Sequence, residues 1–190
     1  MLNERQRAEI QRLWARKVQQ DNADVPFSER HRNLAPASAE FLSALVFGMG
    51  AKKIVEIGGS SGISTIALAA AAQQTQGRVV SLEIEPVRQA ESKQTIARLG
   101  LRDFVDFRLG DAARTLPLLT DLEFVLIDCE KDDYTRFFDM LHLRPGAVVV
   151  ADNVLSHRLT EYVAHVRSQP GSTSVTLPIG QGLELTRAPE

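Results

Sequence analysis

The sequence has a single cysteine, Cys129, which excludes an intrachain disulfide framework and a cysteine-rich zinc site. It has no excess of either charge. The 22 Lys and Arg against 24 Asp and Glu leave a net charge of -2 and a pI near 6.1. That balance excludes a strongly basic nucleic-acid binder and an acidic-tail protein, though not a local basic patch. Long apolar runs are also missing: the longest, Ile66 to Ala72, falls far short of the ~20 residues a membrane span requires. The opening residues, MLNERQRAEIQRLW, lack the apolar core of a signal peptide. There is no internal repeat, low-complexity stretch or linker. What is present is 44% hydrophobic and 24% charged residues over 190 positions, ordinary for a soluble globular chain. A chain this long buries ~70% of its unfolded surface, so its core needs no covalent or metal staple. The expectation is a soluble, cytoplasmic protein with one domain over residues 1–190, helical over 1–50 and α/β over 51–190.

Ile10, Leu13, Trp14 and Val18 recur at helical spacing between Glu4 and Gln20, with Asn3 as the N-cap. The stripe of Trp14 and Val18 reads as core or as a dimer contact, so a homodimer is one possible assembly. Asp21 to Ala35 is polar, has no period and reads as a loop. A second helix starts at Pro36, carries Phe41, Leu42, Leu45 and Val46 on one face, and ends at Gly48 and Gly50.

After Gly50 short apolar runs alternate with helical segments. The runs are Ile54 to Ile57, Val79 to Ile84, Val105 to Leu109, Phe124 to Ile127 and Ala147 to Ala151. Between them lie helical stretches near Ser64 to Gln74, Pro86 to Leu99 and Tyr134 to Leu141, and a short turn over Ala113 to Leu118. Continuous Val/Ile/Leu runs alternating with helices mark a parallel sheet covered on both faces. A last helix, Thr160 to Arg167, precedes strands over Ser174 to Leu177 and Leu183 to Thr186. Their PIGQG link suits a hairpin, so the sheet should end in an antiparallel strand.

The first strand runs into EIGGSSGIS, Glu56 to Ser64. In open α/β sheets ligands bind outside the carboxyl ends of the strands, where the chain turns from strand to helix. Gly58 and Gly62 let backbone approach a ligand, and Ser60 and Ser64 add hydroxyls. Serines stand where the dinucleotide pattern G-x-G-x-x-G needs glycines, so a pyrophosphate fits poorly. Glu83, 25 residues past Gly58, lies where an acid meets the hydroxyls of a ribose. Asp111 and Ala112 follow the third strand at the same edge. A ribose acid with a glycine turn and no phosphate cradle suits a nucleoside with a short zwitterionic tail, and S-adenosylmethionine fits that description.

Asp128 ends the fourth strand, and Asp152 and Asn153 end the fifth. Adjacent strands lie ~4.8 Å apart, so these side chains can converge. Two carboxylates and an amide oxygen are hard donors, suited to Mg²⁺, Mn²⁺ or Ca²⁺ rather than zinc. Lys131, three residues past Asp128, can bring an amine to the same spot and serve as a general base. Alternatively Asp128 and Asp152 cap helices and Lys131 is solvated. Cys129 should point away from the cluster, and no role falls to it. His31, His142, His157 and His165 form no ligand spacing.

These residues together resemble the cation-dependent O-methyltransferases of the catechol O-methyltransferase type, over about Asn33 to Arg187. The resemblance implies a Rossmann-like class I methyltransferase fold, with a seven-stranded, mostly parallel sheet, one antiparallel strand near the C-terminus and helices on both faces. It implies cofactor contacts by Asn33, Leu34, Glu56, Gly58, Ser60, Gly62, Ser64, Glu83, Asp111, Ala112 and Asp128. It makes Asp128, Asp152 and Asn153 the metal ligands, Lys131 the catalytic lysine and Glu184, of the segment Gly182-Leu183-Glu184, a contact to a substrate hydroxyl. Glu130 stands where the animal catechol enzyme has an aromatic, and Ala112 and Ala113 replace polar residues near the adenine. The acceptor pocket should therefore be open and weakly aromatic. The expected activity is methyl transfer from S-adenosylmethionine to a small catechol-like or caffeoyl-type phenol. A hydroxylated tRNA base as acceptor, or a cofactor-binding module without turnover, are the alternatives.

Overall fold

The computed structural model describes residues 2–23, 25–26 and 30–190. Of the segment read as a loop, residues 24 and 27–29 lie outside the described residues. Helix α1 (Glu4–Asn22) opens on a capping box: Gln6 N–H donates to Asn3 Oδ1 at 2.9 Å and Asn3 N–H to Gln6 Oε1 at 2.8 Å. Helix α2 (Pro36–Met49) starts with proline in its first turn and stops at Gly50, whose φ of +64° makes the left-handed cap.

Seven strands then form one sheet: β1 (Lys53–Ile57), β2 (Arg78–Glu83), β3 (Val105–Leu109), β4 (Leu122–Ile127), β5 (Leu143–Ala151), β6 (Thr173–Leu177) and β7 (Leu183–Arg187). Their order is β3-β2-β1-β4-β5-β7-β6. The first five run parallel, and β7 is antiparallel to both neighbours. All seven strands lie where the apolar runs place them. The hairpin differs in position: the antiparallel strand β7 inserts beside β5, and β6 takes the edge. Strand β5 also begins earlier than its Val-rich run, because Leu143 pairs with Leu122 before a register shift.

Alternation along the strands separates two apolar cores. Ile54, Leu126, Val148 and Val150 pack with α1, α2 and α3 (Ile63–Thr75), joined by Ile96 of α4 (Pro86–Arg98). Val55, Ile57, Val125, Ile127 and Val149 face the other way. They meet Leu116 beyond the short α5 (Ala112–Thr115), Tyr134 and Phe137 of α6 (Tyr134–Asp139), and Tyr162 and Val166 of α7 (Thr160–Arg167). Trp14 packs against the first core and Val18 is left exposed. Among the described residues no helix is long and apolar enough to cross a membrane.

The strand order reverses between β1 and β4, which is the switch point where an open sheet leaves a crevice at its carboxyl edge. The chain leaves β1, β2, β4 and β5 around that crevice.

Candidate active site

The crevice holds a cavity of 430 Å³, inside the ~300–1,000 Å³ range of small-molecule sites. Of the residues expected to bind the cofactor, Asn33, Gly58, Ser60, Glu83, Asp111, Ala112 and Asp128 line it, as do Lys131 and Asn153. Its wall also includes Glu130, expected at the acceptor pocket, and Ile84, His31, Arg32, His157 and Gln181, which the sequence reading left without a role in the site.

At one end the glycine turn is held by close backbone contacts. Gly58 has φ +95°, and a Cβ there would stand 2.1 Å from the Asp128 carbonyl oxygen. Glu83 fixes the same turn, because its carboxylate accepts from Ser60 N–H at 2.7 Å and Glu85 N–H at 2.9 Å. Ser60, itself at φ +44°, keeps its hydroxyl oxygen buried and without a partner. Asn33 is clipped to the turn, its amide donating to Ser61 Oγ at 2.8 Å. Asp111 caps α5 by accepting from Ala113 N–H at 2.9 Å.

Four expected cofactor contacts do not line the cavity: Leu34, Glu56, Gly62 and Ser64. Leu34 is a core residue, 1% exposed. Gly62 lies against Ser92 of α4, and Ser64 is buried in the first turn of α3. Glu56 lies beneath the turn, where its Oε2 accepts from Thr65 at 2.7 Å and Ser81 at 2.5 Å. Burial pushes its carboxyl above the usual range despite those hydroxyls. Glu56 therefore ties α3 to β2 and shapes the turn from below.

At the other end the Lys131 ammonium gathers three oxygens. It donates to Asn153 Oδ1 at 2.6 Å, Tyr134 Oη at 2.6 Å and Asp128 Oδ1 at 3.3 Å. Tyr134 Oη in turn donates to the Asp152 carbonyl at 3.1 Å. Asn153, at φ +64°, donates through Nδ2 to Asp152 Oδ2 and Gln181 Oε1, both at 3.1 Å. Asp152 is buried behind Asn153 and does not line the cavity; its Oδ1 has no partner. Burial pushes Asp152 up to about 8, with the Asp128 charge adding to the shift. Asp128 is raised too, by burial working against Lys131. Two carboxylates this close share protons unless a cation joins them.

A divalent cation fits that arrangement. Asp128 and Asn153 offer hard oxygens at a point already chosen by a positive charge, and Asp152, next to Asn153, adds an unsatisfied one. Among the described residues no group of three His, Cys, Asp or Glu is placed to hold a metal, so a cation at the two carboxylates would draw any third protein donor from an amide such as that of Asn153.

Glu184, expected to contact a substrate hydroxyl, does not line the cavity. It pairs with Ala151 across β7 and β5 and is fully buried on the α7 face. There it accepts from Arg167 Nε at 2.9 Å, Ser174 Oγ at 2.6 Å and Thr176 Oγ1. The period-two polar stripe Ser174, Thr176, Glu184 and Thr186 is the sequence signal for that cluster. Cys129 does reach the cavity wall, contrary to expectation, and burial raises its thiol well above the ordinary value.

A family model described as O-methyltransferase matches residues 16–187. The chain belongs to the O-methyltransferase family. It is 37% identical over 130 residues to a catechol O-methyltransferase of Niastella koreensis, covering 65% of this chain and 58% of that protein. It is also 37% identical over 120 residues to a catechol O-methyltransferase of Mycobacterium tuberculosis, covering 61% and 54% respectively. The chain thus spans a little over half the length of the curated relatives it matches. The solved structure of an O-methyltransferase from Bacillus cereus in complex with SAH superposes with a TM-score of 0.78 at 24% identity, over 99% of this chain and 92% of that one. This likeness and the sheet order give the chain the Rossmann-like class I methyltransferase fold.

Proposed function

We propose that this O-methyltransferase family member transfers a methyl group from S-adenosylmethionine to one hydroxyl of a small vicinal-dihydroxy aromatic, of catechol or caffeoyl type, with a divalent cation. The observation that carries the reading is a pair of unpartnered buried oxygens at the two ends of the site, Ser60 Oγ in the cavity wall at the glycine turn and Asp152 Oδ1 behind Asn153. The catechol and caffeoyl-CoA O-methyltransferases among its relatives support the same acceptor class.

Glu83 and the backbone of the turn would hold the ribose, with Ile84 and Ala112 beside the base. A cation held by Asp128, Asp152 and Asn153 would supply Lewis acidity, lowering the pKa of an acceptor hydroxyl. In its neutral amine form Lys131 takes the hydroxyl proton and becomes the ammonium, and Tyr134, hydrogen-bonded to its amine, fixes where that amine stands. The acceptor oxygen then bonds to the methyl carbon as the carbon–sulfur bond breaks and the electron pair stays on sulfur. The residues contribute mainly by orientation, since the wall holds both partners in line.

A tRNA acceptor gains no support from the cavity mouth. Lys17 pairs with Asp21 at 2.7 Å, Arg32 with Glu130, and Arg30 donates to the Val25 carbonyl at 2.8 Å. These three cations each already have an oxygen partner within the protein.

The test is a methyl-transfer assay over a panel of catechols, caffeoyl esters and total tRNA, with Mg²⁺ and with EDTA. Turnover of a catechol that stops in EDTA and returns with Mg²⁺ or Mn²⁺ is the expected result. Full activity in EDTA would remove the cation, and turnover of tRNA alone would replace the acceptor.

A further inference from the structure

The loop between β6 and β7 reaches back to the carboxylate end of the crevice. Gly180 has φ +59°, and a Cβ there would stand 2.3 Å from Ser38 Oγ; Gly182 has φ +94°, and a Cβ there would meet Leu155 at 2.5 Å. Both glycines therefore let the loop press between α2 and the segment after β5. Backbone bonds fasten it there: Val154 N–H donates to Gly182 O at 3.0 Å and Ser156 N–H to Gln181 O at 3.1 Å. Between the two glycines, Gln181 directs its amide oxygen at Asn153 Nδ2 and Ser156 Oγ, 3.1 Å from each.

An asparagine amide can be turned over at little intrinsic cost, so its hydrogen bonds decide which atom faces which neighbour. Here Nδ2 meets two acceptors, Asp152 Oδ2 and Gln181 Oε1, and Oδ1 meets the Lys131 ammonium. A flip would set oxygen against oxygen on one side and donor against donor on the other. Once a cation displaces the Lys131 ammonium, only Asp152 and Gln181 keep Oδ1 aimed at it. Asp152 is itself a ligand, so Gln181 is the member of the set with no other duty in the cluster.

The geometry points to Gln181 as the positioning residue of the cation site, holding the Asn153 amide with its oxygen toward the cation. This inference rests on the cation dependence proposed above. Outer-shell partners of this kind change metal affinity by about 10–100-fold when removed.

The test is Mn²⁺ binding by calorimetry, in the presence of S-adenosylhomocysteine, for wild type, Gln181→Met, Gln181→Ala, Asn153→Ala and the Gln181→Met/Asn153→Ala double variant. Thermal melting in the absence of metal checks that each is folded. Both Gln181 variants should weaken Mn²⁺ binding at least tenfold with unchanged calorimetric stoichiometry. The double variant should bind no more weakly than Asn153→Ala alone, because Gln181 acts through Asn153. Wild-type affinity in both Gln181 variants, or a Gln181 effect that persists in full without Asn153, overturns the inference. A wild-type protein that binds no Mn²⁺ overturns the cation dependence itself, a separate result. If Gln181→Met does not fold, Gln181→Ala alone decides.

Discussion

The Lys131 amine lies 2.6 Å from Asn153 Oδ1 and 3.3 Å from Asp128 Oδ1, on two of the oxygens a cation would use. Amine and cation thus compete for one position. Displacement of the amine frees it beside the acceptor, and Tyr134, fixed by the Asp152 carbonyl, keeps it within reach.

If the freed amine takes the acceptor proton, Lys131→Met should lower kcat by ~10²–10⁴ with a smaller change in KM. The loss should shrink as the pH approaches the phenol's own pKa, and with an acidic acceptor such as nitrocatechol. An equal loss at every pH and for both acceptors would make Lys131 a positioning group instead.

The two buried carboxyls set a pH dependence of stability. Asp152 is raised to about 8 and Asp128 is raised in the same direction, so the folded state binds protons more tightly than the unfolded chain. The contribution is fully present below the ordinary carboxyl pKa of about 3.9 and is lost as the pH rises toward 8. Metal-free protein should melt at progressively lower temperature between pH 5 and pH 8. Asp152→Asn should flatten that slope, and so should added Mn²⁺. Parallel slopes for wild type and Asp152→Asn in scanning calorimetry would show that the pair carries no such strain.

Glu83 joins the turn to β2 through two backbone N–H groups, and faces the cavity as well. Glu83→Ala should weaken S-adenosylhomocysteine binding by about 1.5–3 kcal/mol, since hydrogen bonds to a charged group are lost. Calorimetric titration measures this directly. An unchanged affinity would leave Glu83 with a structural task only.

Glu184 gives the opposite expectation. Glu184→Ala removes the acceptor for Arg167, Ser174 and Thr176, and should cost about 1–3 kcal/mol in urea unfolding. The cost stays moderate because the Arg167 side chain is 47% exposed and returns to water. The KM for a phenolic acceptor should not move. A selective rise in KM at unchanged stability would restore the substrate contact that the resemblance implied.

The contrast between Glu83 and Glu184 shows where sequence reading works. Glu83, Asp128 and Asn153 end parallel strands whose Val, Ile and Leu runs are unmistakable, so their placement at one edge followed from topology. Glu184 also lies near that edge, yet reaching the edge does not fix a side chain's direction. Its face is set by antiparallel register with Ala151, which pattern alone does not supply. Leu34 and Glu56 differ for a related reason: both adjoin cavity-lining residues in sequence, and both are buried away from the wall. Contacts such as Arg32 with Glu130, 98 residues apart, or Gln181 with Asn153, 28 apart, exist only once the chain is folded.

Gly58 has a consequence for engineering. Its α-carbon leaves no room for a side chain against the Asp128 carbonyl, so the glycine turn and the exit of β4 are shaped to one another's backbone. A chimera that imports a turn with any side chain at position 58 would set its β-carbon about an ångström too close to that carbonyl. Recombination breakpoints are best kept outside residues 58–128, so that both loops travel as one cassette.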